Sequence, residues 1–259
     1  MTDIRTRNGG QLLMDSLVAL GATRGFGVPG ESYLAVLDAM VDHANAFDLV
    51  LCRQEGGAAY MAAAWGKLTG EPGLCFVTRG PGASNATVGI HTAMQDSVPM
   101  ILFVGQVGTD VMGREAFQEV DYTAFFGPLA KWAVQIDHVD RVPEIISRAW
   151  TVAMSGRPGP VVVALPEDML VATSDRLPCN PLAIPEPAVP EAGAAQMAAM
   201  LAAAERPVML VGGTRWTAGS ARALESFSAV NNVPVVAAFR FHDIIDNHCP
   251  SFVGDAGVA

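Results

Sequence analysis

The residues with the clearest capacity for chemistry lie in LVLCRQEGGAAYMAAAWGKLTG, Leu49 to Gly70. Here an apolar run closes on Arg53-Gln54-Glu55, and an alanine-rich segment starts on that carboxylate. Leu49 to Cys52 reads as a strand, and Ala58 onward as a helix with Gly70 as its stop signal. Glu55 therefore falls at a helix N-terminus, at the carboxyl end of a strand. Two readings fit that placement. One is an acid in the first helical turn, stabilised by roughly a few tenths of a kcal/mol through the helix dipole. The other is a carboxylate held at the crevice where open α/β sheets bind ligands.

Two more strand-to-helix junctions carry unusual residues, Pro29-Gly30-Glu31 and Gly80-Pro81-Gly82. The latter sits in VTRGPGASN, Val77 to Asn85, where glycines permit close backbone approach and a helix N-terminus favours polar or negative groups. No Gly-Lys-Ser/Thr follows, and the spacing is not GxGxxG, so neither a Walker loop nor a dinucleotide fingerprint is present. A tight structural turn is the other reading. The connection Gly105 to Tyr122 has no clear helix, and so long a loop reads as a lid or binding segment, or as a plain surface excursion. Five scattered histidines and four distant cysteines (Cys52, Cys75, Cys179, Cys249) show no metal-ligand spacing.

The elements that must position these residues alternate along the chain. Gln11–Leu20, Tyr33–His43, the Glu55 helix, Ala83–Gln95 and Val142–Ser155 read as helices. Gly25–Val28, Phe47–Cys52, Leu74–Thr78, Met100–Val104 and the run VVVALP read as strands. Such alternation with short connections implies an α/β fold, a parallel sheet with helices on both faces. All the junctions above then fall on one carboxyl edge. Residues 172–190 break the pattern with Pro178, Pro181, Pro185, Pro187 and Pro190, which suits an extended linker. Beyond it, Ala192–Ala204 and Ala218–Val230 read as helices and PVMLVGG and VPVVAAF as strands. This second α/β unit reads as incomplete, with about two strands before Ala259.

Composition narrows the classes. The chain has 259 residues, 51% of them hydrophobic, enough for one large or two ordinary domains. Its net charge of −10 and lack of a basic cluster argue against nucleic acid. A small anionic substrate would need local positive charge. The start, MTDIRTRNGGQLLMDSL, lacks the apolar core of a signal peptide, and no apolar run is long enough to span a membrane. The expectation is a cytoplasmic protein.

The series RQEGGAAYMAAAWGKLTGEPGLCFVTRGPGASNATVGIHTAMQDSVPMILFVGQV, followed by AFQE, a lysine and SGRPGPVVVALPEDM, resembles the pyrimidine-binding domain of thiamine-diphosphate enzymes. It is most similar to acetolactate synthase large, catalytic subunits. The match runs in order over roughly Gln11 to Leu170, with spacing kept from Glu55 to Arg157. The tail FRFHDIIDNHCPSFVGDAG resembles that family's central domain. The resemblance implies a pyrimidine-binding domain at 1–171, a linker at 172–190 and a truncated, Rossmann-like central domain at 191–259.

It also implies roles. Glu55 would hydrogen-bond a pyrimidine nitrogen of thiamine diphosphate, favouring the tautomer that takes the thiazolium proton, and would need a dry pocket to tune its proton affinity. Pro29 and Gly30 match the turn beside the pyrimidine, with Glu31 replacing a small residue. Gly82 and Asn85 belong to the glycine loop. Gln118 matches a glutamine near the reacting centre, and Phe117 a phenylalanine lining the substrate channel. Ser97 matches a serine near the cofactor and reads equally as a turn serine. Lys131 matches a lysine at the channel mouth and reads equally as a solvated surface lysine. Arg157 matches an arginine that contacts FAD and reads equally as a helix cap. Thr214 in VGGTRW stands where a third glycine of the flavin stretch is usual.

The implied reaction is decarboxylation and carboligation of a 2-keto acid, as in branched-chain amino acid biosynthesis. Mg²⁺ and the diphosphate are implied on a further C-terminal domain, whose Gly-Asp-Gly motif is not found here. This chain alone is then expected to be inactive. A homodimer, a homotetramer or a separate subunit carrying the diphosphate-binding domain would complete the site. The competing reading is a non-catalytic binding or dimerisation module.

Overall fold

Residues 6–180 and 183–257 are described by a computed structural model, in which the chain divides between Pro185 and Glu186 into two units. The first unit runs β1 (Arg7–Asn8), α1 (Gly9–Ala19), β2 (Arg24–Gly27), α2 (Leu34–Asp42), β3 (Asp48–Leu51), α3 (Glu55–Thr69), β4 (Gly73–Val77) and α4 (Pro81–Asp96). It continues through β5 (Met100–Gln106), α5 (Tyr122–Phe126), β6 (Trp132–Gln135), α6 (Val142–Met154), β7 (Pro160–Pro166), α7 (Glu167–Val171) and β8 (Thr173–Ser174).

Six strands form a sheet in the order β3-β2-β4-β5-β7-β6, every pairing parallel. The central strands β4, β5 and β7 are buried at every residue, because helices cover both faces. Strand alternation sorts their side chains into two layers. Phe76, Phe103 and Val163 face one way, packing with Leu13 and Ile146 of α1 and α6. Cys75, Leu102 and Val162 face the other way, against the alanines of α3 and Ile90 of α4. Phe76 and Phe103 stack at 4.8 Å between ring centroids. Each fully buried side chain of this size stabilises the fold by about 1.5–3 kcal/mol.

Small residues set the spacing that the site depends on. Ala58, Ala59, Ala62 and Ala63 form the buried face of α3. A Cβ on Gly89 of α4 would stand 2.4 Å from the Ala59 Cβ, so only glycine lets the two helices approach this closely. Their N-termini consequently emerge side by side at the carboxyl edge of the sheet.

The structure adds elements beyond the sequence expectations. Strand β6, an edge strand whose four residues are all half-buried, has no apolar alternation to announce it. The antiparallel ladder β1–β8 and the bond from the Gly9 N–H to the Ala172 carbonyl (3.0 Å) tie the start of the proline-rich span to α1. Cys179 and Ile184 pack against the core of the first unit. Pro181 lies outside the described residues, as do the first five residues of the chain.

The second unit contains α8 (Glu191–Ala203), β9 (Met209–Val211), α9 (Ala218–Asn231), β10 (Val235–Ala238) and β11 (Phe252–Ala256). Three strands pair in parallel in the order β11-β10-β9, one more than expected, since β11 forms from FVGDA. Its Gly254 and Asp255 are strand residues. Among the described residues, no helix is long and apolar enough to cross a membrane.

Candidate functional site

Glu55 opens α3 because Gln54 caps it. Gln54 is extended, and its side-chain oxygen accepts the Gly57 N–H at 2.9 Å. The carboxylate that follows is fixed from α4, where the Asn85 amide donates to Glu55 Oε2 at 2.9 Å. A Cβ on Gly82 would stand 3.6 Å from Oε1, an ordinary contact distance, and Oε1 accepts no hydrogen bond among the described residues. The sequence reading placed Asn85 in the glycine loop, but its pairing with Glu55 depends on the α3–α4 approach.

Within this chain Glu55 is half-buried, and its neighbours Gln54 and Asn85 are exposed. The carboxylate rides the rim of the helix pair, with α3 and α4 covering one side of it.

The other junctions meet Glu55 through a chain of contacts. Pro29 is exposed and Gly30 half-buried, and a Cβ on Gly30 would stand 2.5 Å from Thr78 Cβ. The turn after β2 therefore lies directly on the end of β4. Ser32 Oγ and Thr78 Oγ1 share a hydrogen bond of 2.8 Å, and Thr78 in turn borders Gly82. Gly80 has φ +53°, a conformation cheap only for glycine, and its absent Cβ would stand 2.8 Å from the Gln118 Cβ. This brings the long connection onto the glycine turn.

That connection is ordered by side chains. Glu119 accepts the N–H groups of Gly113 (2.6 Å) and Ala116 (3.1 Å). Buried Gln106 donates to the Val120 carbonyl at 2.7 Å. Asp168 accepts the Thr109 N–H at 3.0 Å and the Thr109 hydroxyl. Burial works against the Asp168 carboxylate, but these bonds hold its pKa below the usual value. The Tyr122 hydroxyl accepts the Gly80 N–H at 2.7 Å. Burial pushes the Tyr122 phenol up to about 12, partly offset by the Gly80 bond and the Arg79 charge. Glu115 (φ 57°) and Gln118 (φ 65°) both adopt left-handed backbone, a cost of order 1 kcal/mol or more each. Between them Phe117 is 72% exposed.

Sequence reasoning missed Arg79. Its side chain is 10% exposed and joins Glu31 (2.9 Å), Glu167 and the Phe117 carbonyl (3.2 Å). Glu31, noted in the sequence as a departure, is thus one of its counter-charges. The available signal was three charged residues at three strand ends, which is legible only if their pairing is already known.

Three residues matched to the site lie elsewhere. Ser97, Lys131 and Arg157 precede β5, β6 and β7, at the amino edge of the sheet. The 16 residues of α4 put about 24 Å between its ends, which separates Ser97 from the Glu55 edge. Arg157 donates to Ser97 Oγ at 2.6 Å and to the carbonyls of Met94 and Gln95, capping α4. Lys131 is half-buried and donates to the carbonyls of Val152 and Ser155 near the end of α6, and burial lowers its pKa. The structure therefore brings Pro29, Gly30, Glu55, Gly82, Asn85, Phe117 and Gln118 to one edge and leaves Ser97, Lys131 and Arg157 at the other.

Comparison with known proteins matches this edge to a family. Residues 7–125 match the N-terminal TPP binding domain of thiamine pyrophosphate enzymes, and residues 194–259 match their central domain. The acetolactate synthase isozyme 2 large subunit of Escherichia coli K12 is 35% identical over 97% of this chain and 45% of its own length. The acetolactate synthase large subunit of Lactococcus lactis is 35% identical over 89% of the chain and 40% of its own length. The mitochondrial catalytic subunit of Saccharomyces cerevisiae is 38% identical over 67% of the chain and 26% of its own length. The chain spans less than half the length of these relatives. With both family models matching in order, and with Glu55 opening α3 inside the first of them, the chain belongs to the thiamine pyrophosphate enzyme family.

Proposed function

We propose that this chain supplies the pyrimidine-activating half of an active site that decarboxylates a 2-keto acid and joins the product to a second carbonyl compound, in the manner of acetolactate synthase. The observation that carries the reading is Glu55. One carboxylate oxygen is fixed by Asn85, the other is left open beside Gly82, and both stand where the ends of the parallel strands meet.

The residues fit thiamine diphosphate. A Cβ on Gly30 or Gly82 would collide with Thr78, so these glycines let both turns close onto the end of β4, beside which Glu55 offers an oriented carboxylate toward a ring nitrogen. When bound, the cofactor supplies a thiazolium that accepts the electron pair released by decarboxylation. This chain's part is to hold a proton at Glu55 Oε1, with Asn85 preventing the carboxylate from rotating away. Gln118 and exposed Phe117 stand on the substrate side of the glycine turn.

The half-buried state of Glu55 supports a second polypeptide surface over it, which would exclude water and raise the strength of its hydrogen bond. In this reading that surface carries the diphosphate and Mg²⁺, and belongs to a second copy in a homodimer or homotetramer, or to a separate subunit. FAD enters only through the likeness to acetolactate synthases. Arg157, the residue matched to it, is engaged in capping α4.

The test is Glu55→Gln in the enzyme carrying these residues, assayed with a 2-keto acid, thiamine diphosphate and Mg²⁺. Glutamine keeps the Asn85 contact within reach but cannot share the proton. Turnover should fall by roughly 10²-fold or more, with thermal stability little changed. Full turnover in the variant overturns the reading.

A further inference from the structure

We propose that Arg79 is the positioning residue that holds Phe117 and Gln118 at the Glu55 edge, and not a receptor for a substrate carboxylate. Its guanidinium reaches three separate parts of the chain. Nη2 meets Glu31 after β2, Nη1 meets Glu167 at the start of α7, and Nε donates to the Phe117 carbonyl in the connection after β5. Its own backbone N–H donates to Ser32 Oγ at 3.3 Å. The guanidinium carries its donors on three separate nitrogens in fixed directions, so it can reach partners in three separate parts of the chain, whereas the donors of an ammonium converge on one nitrogen.

The segment it holds needs an external tether. Glu115 and Gln118 are left-handed on either side of Phe117, and such backbone persists only where surrounding contacts over-determine it. Glu119 fixes the earlier half of the segment and Gln106 its end. The Phe117 carbonyl, between these anchors, is held by Arg79. The same geometry argues against a receptor role. Each terminal nitrogen already meets a carboxylate, and only a tenth of the side chain is exposed. The two glutamates serve to balance a buried cation whose function is to grip a backbone oxygen.

The tethering stands on the geometry alone, while its consequence for turnover rests on the function proposed above. The experiment therefore has two readouts. Hydrogen exchange is measured on this chain for Arg79→Met and Arg79→Lys, comparing residues 110–121 with residues 73–77 of β4. Exchange over 110–121 should rise about 10-fold or more in both variants, because lysine keeps the charge but loses the Nε bond, while β4 stays protected. Unchanged exchange over 110–121 in either folded variant overturns the proposal. If Arg79→Met fails to fold, Arg79→Lys carries the test. In the complete enzyme, kcat should fall in Arg79→Lys with KM for the keto acid little changed. A raised KM with kcat and loop exchange unchanged would assign Arg79 to the substrate carboxylate and overturn the proposal.

Discussion

The two edges of one sheet use similar residues for different ends. At the amino edge, Arg157 and Lys131 donate to carbonyls at the C-termini of α4 and α6, where the macrodipole favours cations. At the carboxyl edge, Arg79 donates instead to carboxylates and to a loop carbonyl, and Glu55 has one oxygen with no hydrogen-bond partner among the described residues. Charged groups at the amino edge complete helices, whereas those at the carboxyl edge orient one another around an open acceptor. The difference follows from chain direction. In a parallel sheet with returning helices, helix C-termini gather at one edge, and helix N-termini with the longer connections gather at the other.

The comparison can be broken most severely at Glu55. Glu55→Gln should cost turnover roughly 10²-fold or more in the complete enzyme, while Arg157→Ala should leave turnover within a few-fold. Comparable losses from the two variants would erase the distinction between the edges.

Gly89→Ala tests the spacing on which the carboxyl edge rests. The added methyl meets Ala59 of α3 at 2.4 Å, and the overpacking should destabilise the fold by about 1–3 kcal/mol in a denaturant titration. It should also lengthen the Asn85–Glu55 contact, and so lower activity beyond what stability explains.

Arg157→Ala measures the amino edge as structure. Loss of its bonds to Ser97 and the α4 carbonyls should cost about 1 kcal/mol, discounted because the arginine is exposed. Chemical denaturation of the variant checks this, and a stability equal to wild type would contradict the capping role.

The smallest effect concerns Asp168. Its folded pKa is depressed, so its bonds to Thr109 contribute stability above the unfolded carboxylate value, and that contribution is lost as pH falls through the folded value. In acid titrations from pH 5 downward, Asp168→Asn should remove about a few tenths of a kcal/mol of the pH-dependent stability. An acid limb identical to wild type would show that Thr109 is held by other contacts.

Much of the first unit was legible in the chain. Glu55 opens its helix and Gly70 closes it as a left-handed cap, as their residue types imply. The buried runs Leu74–Val77 and Met100–Val104 are strands for the same local reason. Edge strand β6 was not legible, because four half-buried residues carry no periodic signal. Neither was the half-buried state of Glu55, since burial depends on what covers a residue and not on its place in a helix.

What the sequence determined by itself is therefore local: the helix starts and stops, the buried strands, the glycine turns, and through their order the family. The tertiary structure decided which of the matched residues meet. It set Asn85 on Glu55 across 30 positions, and it joined Arg79 to Glu31 and Glu167 across 48 and 88. It also separated Ser97, Lys131 and Arg157 from that cluster. The physical reason is range. Propensity and capping act within a turn or two of chain, whereas hydrogen bonds between strand ends exist only once parallel pairing has brought those ends to one edge.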